Sequence, residues 1–550
     1  MRSISVLGGL AVSLLALSVH AATLPDAGRV QQNLDKAPLQ LPGKQRLNLT
    51  LPDAPADEAR SGGPTLQVVS FQLDGNRMID SAELQALLAD LAGRKVSFGE
   101  LQAGANRITR LYRERGYPLA RAYIPAQEID GGVLRIAVLE GRFGQVAISN
   151  PAGLGGSALA PLAALQPGDT VRAADLERSL LLLQDTPGVA VSSTLRPGAS
   201  TGETDLLVDV QRTPLLSGAI DLDNYGNRYT GEYRLGGTLQ LNGPAGLGDR
   251  LSLRALTSDE GQLHGRVAYQ LPLGPWATQV GAAYSSMHYE LAKDFAHLEA
   301  SGTANIASLY ATQPLVRGRD FSLFAQLQFD SKDLQDDIDL FNERNGKQVN
   351  AFTLTLNGNS RDTWQGGGVN SFALAVSQGD LEIEGAAQQQ ADQLSARTQG
   401  GFLKLNPSLV RLQRLTEQLN LYTQVQGQWA DKNLDSAEKF SLGGAYGVRA
   451  YPQGEASGDL GWLANVELRY ALSDAWQLSG FVDHGQVRIN QETWTGGDNS
   501  RSLTGAGLGA SWNAHGWQVN GVAAFKLGSE DAQSDKDRGA RLWVQLVKQL

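Results

Sequence analysis

Residues 443–452 read GGAYGVRAYP, and residues 481–485 read FVDHG. The first stretch is dense in glycine, carries a single fixed positive charge and lies between two segments with β-like alternation. The second lies inside another strand-like segment, and alternation places three of its residues on one face: Phe481, Asp483 and Gly485. We therefore predict that Arg449, on a loop folded into a barrel lumen, contacts Asp483 on the lumen wall.

Arginine and aspartate suit this contact because a guanidinium and a carboxylate pair through two parallel hydrogen bonds, which fix both distance and orientation. Three glycines let the loop bend sharply and lie close to the wall: Gly443, Gly444 and Gly447. Taken as residue types alone, Arg449 and Asp483 also fit an ordinary loop charge and a strand-end carboxylate, so the rest of the chain decides between the two interpretations.

The composition excludes several classes of protein. The chain has 550 residues, which indicates several structural units, and it has 63 glycines, 42% hydrophobic residues and only 19% charged residues. A net charge of −10 gives no basic footprint for nucleic acid. The absence of cysteine excludes a disulfide scaffold, a thiolate metal site and a lipoprotein anchor.

Residues 1–21 have the pattern of a secretory signal peptide. Arg2 supplies the positive start, residues 4–19 the apolar core, and residues 19–21 the small side chains of a cleavage site. A membrane anchor is the alternative. Beyond this segment the sequence has no apolar run of about 18 residues, so the exported chain is expected to be periplasmic, secreted or a β-barrel.

Residues 22–64 combine a predicted helix over 22–36 with a proline-rich linker. Val30 and Leu34 lie four positions apart on one helical face, and prolines recur between residues 38 and 64. A helix on such a linker can dock at a distance, for example inside a pore. A frayed N-terminus is the alternative.

Two α+β modules are expected next, over residues 65–141 and 142–212. Each reads β-α-α-β-β, with strands marked by alternation and helices by leucines on one face. In the first module we predict helices over 81–91 and 101–111 and a strand over 119–124. A repeated unit of this kind forms an array with exposed strand edges.

Residues 213–550 predict a transmembrane β-barrel. Segments of about ten residues alternate in polarity between turn clusters, and about sixteen such segments can be counted. Aromatic residues fall near segment ends, as interfacial belts require, and the final segment runs to the last residue. A secreted β-sandwich or β-helix is the alternative.

The whole architecture resembles the outer-membrane transporters of two-partner secretion, the haemolysin secretion/activation family of the ShlB/FhaC/HecB type, in the superfamily of barrels that carry POTRA (polypeptide-transport-associated) domains. The family's lumenal loop reads valine-arginine-glycine-aromatic, matched here except at the third position by Val448, Arg449, Ala450 and Tyr451. Its strand motif, aromatic-x-Asp-x-Gly, is matched fully by Phe481, Asp483 and Gly485. The family usually ends on an aromatic residue, whereas this chain ends on Leu550.

The resemblance implies a translocator that recognises a secreted partner protein in the periplasm and exports it unfolded through a pore in the outer membrane. The partner could be an adhesin, a cytolysin or an iron- or haem-scavenging protein. Membrane lipid and a monomer or weak oligomer are also expected, and nucleic acid is not. Two other functions stay open: an assembly factor that inserts other barrels, and a passive porin-like channel.

A client groove is expected where a strand edge lies beside a helix, because main-chain pairing binds an extended segment with little sequence demand. The apolar residues expected to line it in the first module are Leu101, Ile108, Leu111, Leu119 and Ile124. The alternative is that these residues fill a small core.

Other motifs give no support for an enzyme, and no cofactor is expected. The six histidines lack metal-ligand spacing. The sequence GAGLG at 505–509 lacks a P-loop lysine and predicts close packing in a barrel strand. The acidic residues of 331–344 lack the spacing of a calcium loop, so a solvated surface loop is expected there.

Overall fold

The computed structural model describes residues 24–35, 41, 43, 49–50 and 65–550 of the chain. The predicted signal peptide and most of the linker lie outside these residues. Two small α+β modules precede a closed β-barrel. Among the described residues, no helix has the length and apolarity needed to cross a membrane.

The N-terminal helix α1 (Ala27–Asp35) lies inside the barrel. Its buried residues Ala27 and Val30 pack with Met287 and Tyr289 of the barrel wall. Farther along the chain, the two-residue strand β1 (Leu49–Thr50) pairs in parallel with the second module.

The first module, residues 65–141, differs in two places from the predicted β-α-α-β-β order. The first strand divides in two, a further strand pairs with its first half, and the first helix ends at Ala86 rather than at residue 91. The central sheet has the order β3-β6-β5. The elements are β2 (Thr65–Val68), β3 (Ser70–Asp74), α2 (Ser81–Ala86), β4 (Arg94–Ser97), α3 (Phe98–Glu114), β5 (Arg121–Tyr123) and β6 (Val133–Leu139).

The client groove predicted in this module is wrong for its two central residues. Leu101 and Ile108, on α3, are buried in the module core, because α3 turns this face toward the sheet. Three others are only partly buried, and they pack against the cores of the two modules: Leu111, Leu119 and Ile124.

The edge of β5 is also occupied. The amide of Ala122 donates to the hydroxyl oxygen of Thr109 on α3 at 2.9 Å, so this edge amide is already satisfied by the helix. A helix that covers an edge in this way blocks strand addition.

The second module, residues 142–212, follows the predicted order. Its sheet has the order β1-β8-β9-β7, so the linker strand β1 extends it at the free edge of β8. Leu49 lies opposite Ser193, and Thr50 lies opposite Thr194. The elements are β7 (Arg142–Ser149), α4 (Gly156–Leu159), a 3-10 turn (Ala160–Ala164), α5 (Ala173–Gln184), β8 (Val189–Pro197) and β9 (Glu203–Arg212).

The barrel confirms the predicted count of about sixteen strands, and its last strand closes on its first. Its strands are β10 (Leu216–Asp223), β11 (Arg234–Asn242), β12 (Arg250–Ser258), β13 (Leu263–Leu273), β14 (Thr278–Glu290), β15 (Ala300–Arg317), β16 (Phe321–Ile338), β17 (Glu343–Asp362), β18 (Gly368–Ile383), β19 (Gly400–Arg414), β20 (Leu419–Ala430), β23 (Leu460–Ala471), β24 (Trp476–Arg488), β25 (Ser500–Ala514), β26 (Trp517–Lys526) and β27 (Ala540–Gln549). A hairpin of β21 (Phe440–Ser441) and β22 (Ser457–Gly458) and the helix α6 (Ala386–Gln393) lie in loops.

Residues alternate between lumen and exterior along the barrel strands, with an interruption at a bulge between Pro314 and Val316 on β15. On β15, for example, Ala304 is buried inside, whereas Leu309 is 62% exposed on the outer face. Many aromatic residues near strand ends are exposed on the outside, Trp276 and Trp364 among them. This pattern fits a surface that faces lipid, with amphipathic rings at its borders.

The acidic segment 331–344 is not the surface loop that the sequence predicts. Residues 331–338 continue β16, and β17 begins at Glu343, so only a tight turn remains between them. Alternation continues through the acidic residues, and Asp336 points inward, where it accepts hydrogen bonds from the amide of Ala27 at 2.8 Å and from Tyr289 at 2.7 Å. Acidity therefore marks a strand that holds α1 rather than a solvated loop.

The second module is fixed to the rim of the barrel through α5. Arg317, at the turn between β15 and β16, forms two hydrogen bonds with Asp185 at 2.6 and 2.7 Å. Next to it, Arg319 pairs with Glu177 at 2.9 Å. A second turn, over residues 243–249, packs under α4, where the amide of Gly155 donates to a backbone carbonyl oxygen at 2.9 Å. The module therefore sits at a defined place beside the lumen.

The substitution Asp185→Asn removes the carboxylate that pairs with Arg317. Because Arg317 is buried and Asp185 is half exposed, we expect docking to weaken by about 1–2 kcal/mol. Spin labels at Ser200 and Asp474 should then report a broader distance distribution. Asp175→Asn, an exposed carboxylate on the same helix, is the control, and equal distributions in the two variants would contradict the prediction.

Candidate functional site

The loop between β20 and β23 folds back into the lumen instead of extending outward. The β21–β22 hairpin forms its neck, and residues 442–456, here called the inward loop, form its tip. The tip is compact, because the amide of Val448 donates to the carbonyl oxygen of Leu442 at 2.7 Å and the amide of Tyr451 to that of Val448 at 3.0 Å.

Glycine is required at the bends of this loop. Gly444 has a φ of +117°, which side chains rarely adopt. A side chain at Gly443 or Gly447 would overlap the backbone of the loop itself, at the carbonyl oxygens of Pro452 and Leu442 respectively. The three glycines selected from the sequence thus allow the loop to fold on itself.

The predicted contact between Arg449 and Asp483 is present. The guanidinium of Arg449 donates from Nε to Asp483 Oδ2 at 2.9 Å and from Nη2 to Oδ1 at 2.7 Å. The backbone amide of Arg449 donates to the same carboxylate at 3.0 Å. Asp483 is completely buried, and the Arg449 side chain is 12% exposed. The pair is therefore a desolvated, bidentate ion pair.

Four further residues surround this pair, and sequence reasoning missed three of them. Phe481 lies under the guanidinium at 3.4 Å from its ring centre. Glu467 accepts from Arg449 Nη1 at 2.9 Å, and Asn465 donates to Asp483 at 2.8 Å. Trp543, on the last strand, donates from Nε1 to the carbonyl oxygen of Arg449 at 2.7 Å.

Two of the missed residues, Asn465 and Glu467, do have a signal in the sequence. Asn465 and Glu467 alternate on β23, directly opposite Asp483 and Phe481 on β24, so they face the same lumen wall. Polar residues that alternate on the strand next to a motif are candidates for its partners. Trp543 gives no such local signal, because its contact joins distant parts of the chain.

The remaining motif residues pack rather than pair. The side chains of three are buried around the loop tip: Val448, Ala450 and Tyr451. Ala450 has a negative φ, and its methyl group lies against Gly505 of the wall, so alanine replaces the family's glycine without backbone strain. A side chain at Gly485 would meet Leu442 of the loop at 2.7 Å.

A second contact fixes the outer side of the inward loop. Glu455 is completely buried and pairs with Arg501 of β25. Its other oxygen accepts from the amides of Gln533 and Ser534 at 2.9 and 2.8 Å. These residues belong to the last loop, between β26 and β27, which therefore covers the inward loop.

Helix α1 rests on the segment just before the hairpin. Gln32 donates to the carbonyl oxygens of Ala437 and Lys439 at 2.5 and 3.0 Å. This segment is held to the wall in turn, since Glu438 pairs with Lys332 and Lys404 at 2.6 and 2.5 Å. The helix, the segment before the hairpin and the wall therefore form one connected structure inside the lumen.

Among the residues that the structure describes, no cluster of histidine and carboxylate groups could hold a metal ion. His484 faces away from Asp483, toward Thr504 and Trp462, so the two do not form a dyad.

Comparison with known proteins identifies the family. The model of the haemolysin secretion/activation proteins ShlB/FhaC/HecB matches residues 202–512, more than half of the chain. The chain belongs to this family. A model of the ShlB-type POTRA domain also matches residues 66–141, within the first module.

Relatives align over nearly the whole chain. The haem/hemopexin transporter protein HuxB of Haemophilus influenzae is 28% identical over 97% of this chain and 96% of its own length. The haemolysin transporter protein ShlB of Serratia marcescens is 27% identical over 90% and 88%. The solved structure of CdiB from Escherichia coli has a TM-score of 0.72 at 21% identity, covering 90% of this chain and 93% of that one.

HuxB and ShlB are transporter proteins, and CdiB of Escherichia coli, 25% identical over 84% of this chain, is an outer-membrane transporter. This transporter accordingly exports a secreted partner protein across the outer membrane, with its two modules in the periplasm. The lumenal end next to the modules is therefore periplasmic, and the loops at the other end are extracellular.

The substitution Gly507→Ala tests how closely the barrel wall packs around the Arg449–Asp483 pair, here called the lock. A methyl group there would overlap the ring of Phe481 and the carbonyl oxygen of Ala523. We expect a loss of about 1–3 kcal/mol, since overpacking forces the backbone to shift. The folded band of the barrel in gel electrophoresis should then be lost at a lower temperature.

Gly521→Ala is the control, because a methyl group there meets nothing within 4 Å. Equal heat resistance of the two variants would show that the wall tolerates the added group.

Proposed function

We propose that this transporter rests in a closed state held by the Arg449–Asp483 pair and opens when an unfolded partner protein engages it from the periplasm. The supporting observation is that a desolvated ion pair fixes the inward loop across the lumen. Breaking a buried pair costs about 3–5 kcal/mol, so the barrel stays closed until contacts with the partner offset that cost.

Helix α1 acts as a plug in this proposal. It lies against the inner wall and on the base of the inward loop, and it is tethered by a linker rather than by a rigid element. Leaving the lumen breaks hydrogen bonds at both ends of the helix, where the amide of Ala27 donates to Asp336 and the side-chain amide of Gln453 donates to Asn33. The plug and the inward loop then leave together or in close succession.

The partner is recognised as an extended strand that displaces the two-residue strand β1 from the edge of β8. The support is that β8 already accepts an extended piece of chain, since Leu49 and Thr50 pair with it in parallel. Main-chain pairing of this kind binds many sequences. The edge of β5 is not used, because its amide is capped by Thr109.

Among the three partner classes open from the sequence, we favour an iron- or haem-scavenging exoprotein. The support is the relative HuxB, which is a haem/hemopexin transporter protein. HuxB aligns over 97% of this chain, whereas a CdiB relative aligns over 84%. An adhesin or a cytolysin is then the second choice.

The transporter works as a monomer or weak oligomer surrounded by lipid, without nucleic acid and without catalysis. The barrel closes on itself through β10 and β27, so it needs no second copy to complete its sheet. Its outer face carries exposed leucine and tryptophan side chains, which suits lipid.

A comparison of extracellular proteins tests this function. Cells that lack the chain should lose one large secreted protein, most clearly in iron-poor medium. Loss of many outer-membrane barrels would indicate an assembly factor instead, and an unchanged set of proteins would indicate a passive channel.

The substitution Arg449→Ala should reduce export of that protein by about tenfold or more while the barrel stays in the membrane, because it leaves Asp483 buried without its partner and the inward loop without a fixed position for the exported chain to engage. Arg488→Ala, an exposed arginine on the same strand as Asp483, is the control. Export at the control level in the Arg449 variant would contradict the role assigned to the lock.

Displacing α1 should open the pore. The substitution Gly28→Leu places a side chain where Ala437 already lies, at 2.5 Å from the first carbon. We expect single-channel conductance in planar bilayers to rise, as it should when residues 22–36 are deleted. Leu24→Ala, at an exposed position before the helix, should leave conductance unchanged, and a closed Gly28 variant would argue against the plug.

A further inference from the structure

A cavity of about 420 Å³ lies in the lumen between the inward loop and the periplasmic end of the barrel. Tyr446 and Arg449 form its inner limit. Asn513 and Gln518 line it beside the turn that joins β25 to β26, which is a periplasmic turn. An exported chain that approaches the lock from the modules passes through this cavity, here called the vestibule.

One wall of the vestibule carries a row of uncharged polar side chains. Four adjacent strands each contribute one residue at the same register, so the row runs across the sheet: Gln477, Ser511, Asn520 and Gln545. Neighbouring strands are about 4.8 Å apart, so these side chains succeed one another at that spacing. We call this set the amide row.

Two of the four side chains in the amide row have free polar atoms, and the other two are joined by one long hydrogen bond. In the described part of the chain, the side chains of Gln477 and Ser511 have no hydrogen-bond partner, and Asn520 reaches Gln545 only at 3.4 Å. The charged side chains nearest the row already form ion pairs with one another, because Glu467 binds both Arg449 and Arg469. A ligand in the vestibule therefore meets amides and a hydroxyl rather than free charges.

We propose that the amide row binds the main chain of an extended, uncharged segment of the exported polypeptide, a site that rests on the export function proposed above. A side-chain amide offers one acceptor and two donors, which match the N–H and C=O groups of a peptide. A helical segment has already paired these groups internally and offers few of them to the row. Hydrogen bonds between neutral groups exchange readily with water, so the segment binds weakly enough to dissociate and move on.

Binding at the row also reaches the lock. Gln545 interacts with the hydroxyl group of Tyr446 on the inward loop, and Tyr446 packs edge-on against Tyr225. An exported main chain that forms hydrogen bonds with Gln545 replaces the contact between Gln545 and Tyr446, which is one of the contacts that hold the loop tip. The position of the row therefore links arrival of the exported chain to release of the loop.

The test uses the full chain in lipid nanodiscs and two labelled, uncharged peptides of equal length. One is a disordered repeat of Ser-Gly-Thr-Ala, and the other is a stapled alanine-rich helix. A photoreactive benzoylphenylalanine replaces Ser511 in the row or, as a control, the lipid-facing Leu508 of the same strand. We expect labelling by the disordered peptide at position 511 to exceed both other combinations by about tenfold; equal labelling by the helix would overturn the proposal.

Affinity measured by fluorescence anisotropy gives a second result. The double variant Gln477→Leu with Asn520→Leu should bind the disordered peptide about 25-fold more weakly, at about fivefold for each amide lost. Gln326→Leu, an inward amide on the opposite wall, should bind it as the unaltered chain does. Unchanged affinity in a folded double variant would overturn the proposal, and if that variant does not fold, the labelling comparison still decides.

Failure of this site and failure of the export function give different outcomes. If cells without the chain export every protein normally, the export function fails whatever the peptides do. If export is lost in those cells but the disordered peptide neither labels position 511 nor loses affinity in the variant, only the amide row is wrong.

Discussion

A carboxylate with no access to water is stable only when it is paired with a charge or hydrogen-bond donors. Asp483, which is completely buried inside this barrel, is such a carboxylate. It receives two guanidinium hydrogen bonds, a backbone amide and the side-chain amide of Asn465, which together replace its lost hydration. Only a loop that carries Arg449 deep into the lumen can supply the first three. The position of the inward loop therefore follows from the need of one buried charge.

The other parts of the lumen are arranged around that fixed loop. Its outer side is covered by the last extracellular loop through Glu455, and its base supports helix α1 through Ala437. At the periplasmic end, Arg317 fixes the second module beside the opening. Ala437 and Glu455 lie on the same segment of chain as Arg449, so we expect a disturbance at either contact to weaken the Arg449–Asp483 pair.

The two motifs allowed the fold and the central ion pair to be predicted, because each motif lies on one short segment with a recognisable alternation. Trp543 was missed since nothing local in the sequence places it beside Arg449, and Glu467 was missed although it alternates on the strand that precedes the Asp483 motif. The groove on α3 was predicted wrongly because apolar residues such as Ile108 look alike in a core and in a binding site. The strand at Asp336 was read as a loop because its acidity concealed the alternation.

The barrel has a tall side and a low side. β17 has 20 residues and β26 has 10, while the periplasmic turns near β16 and β12 both meet the second module and so lie near one level. The additional ten residues of β17 therefore extend the wall on the cell-surface side, by about 20 Å or more once strand tilt is allowed for. We therefore expect the exported polypeptide to leave the barrel on the side of β26, where the wall is lower.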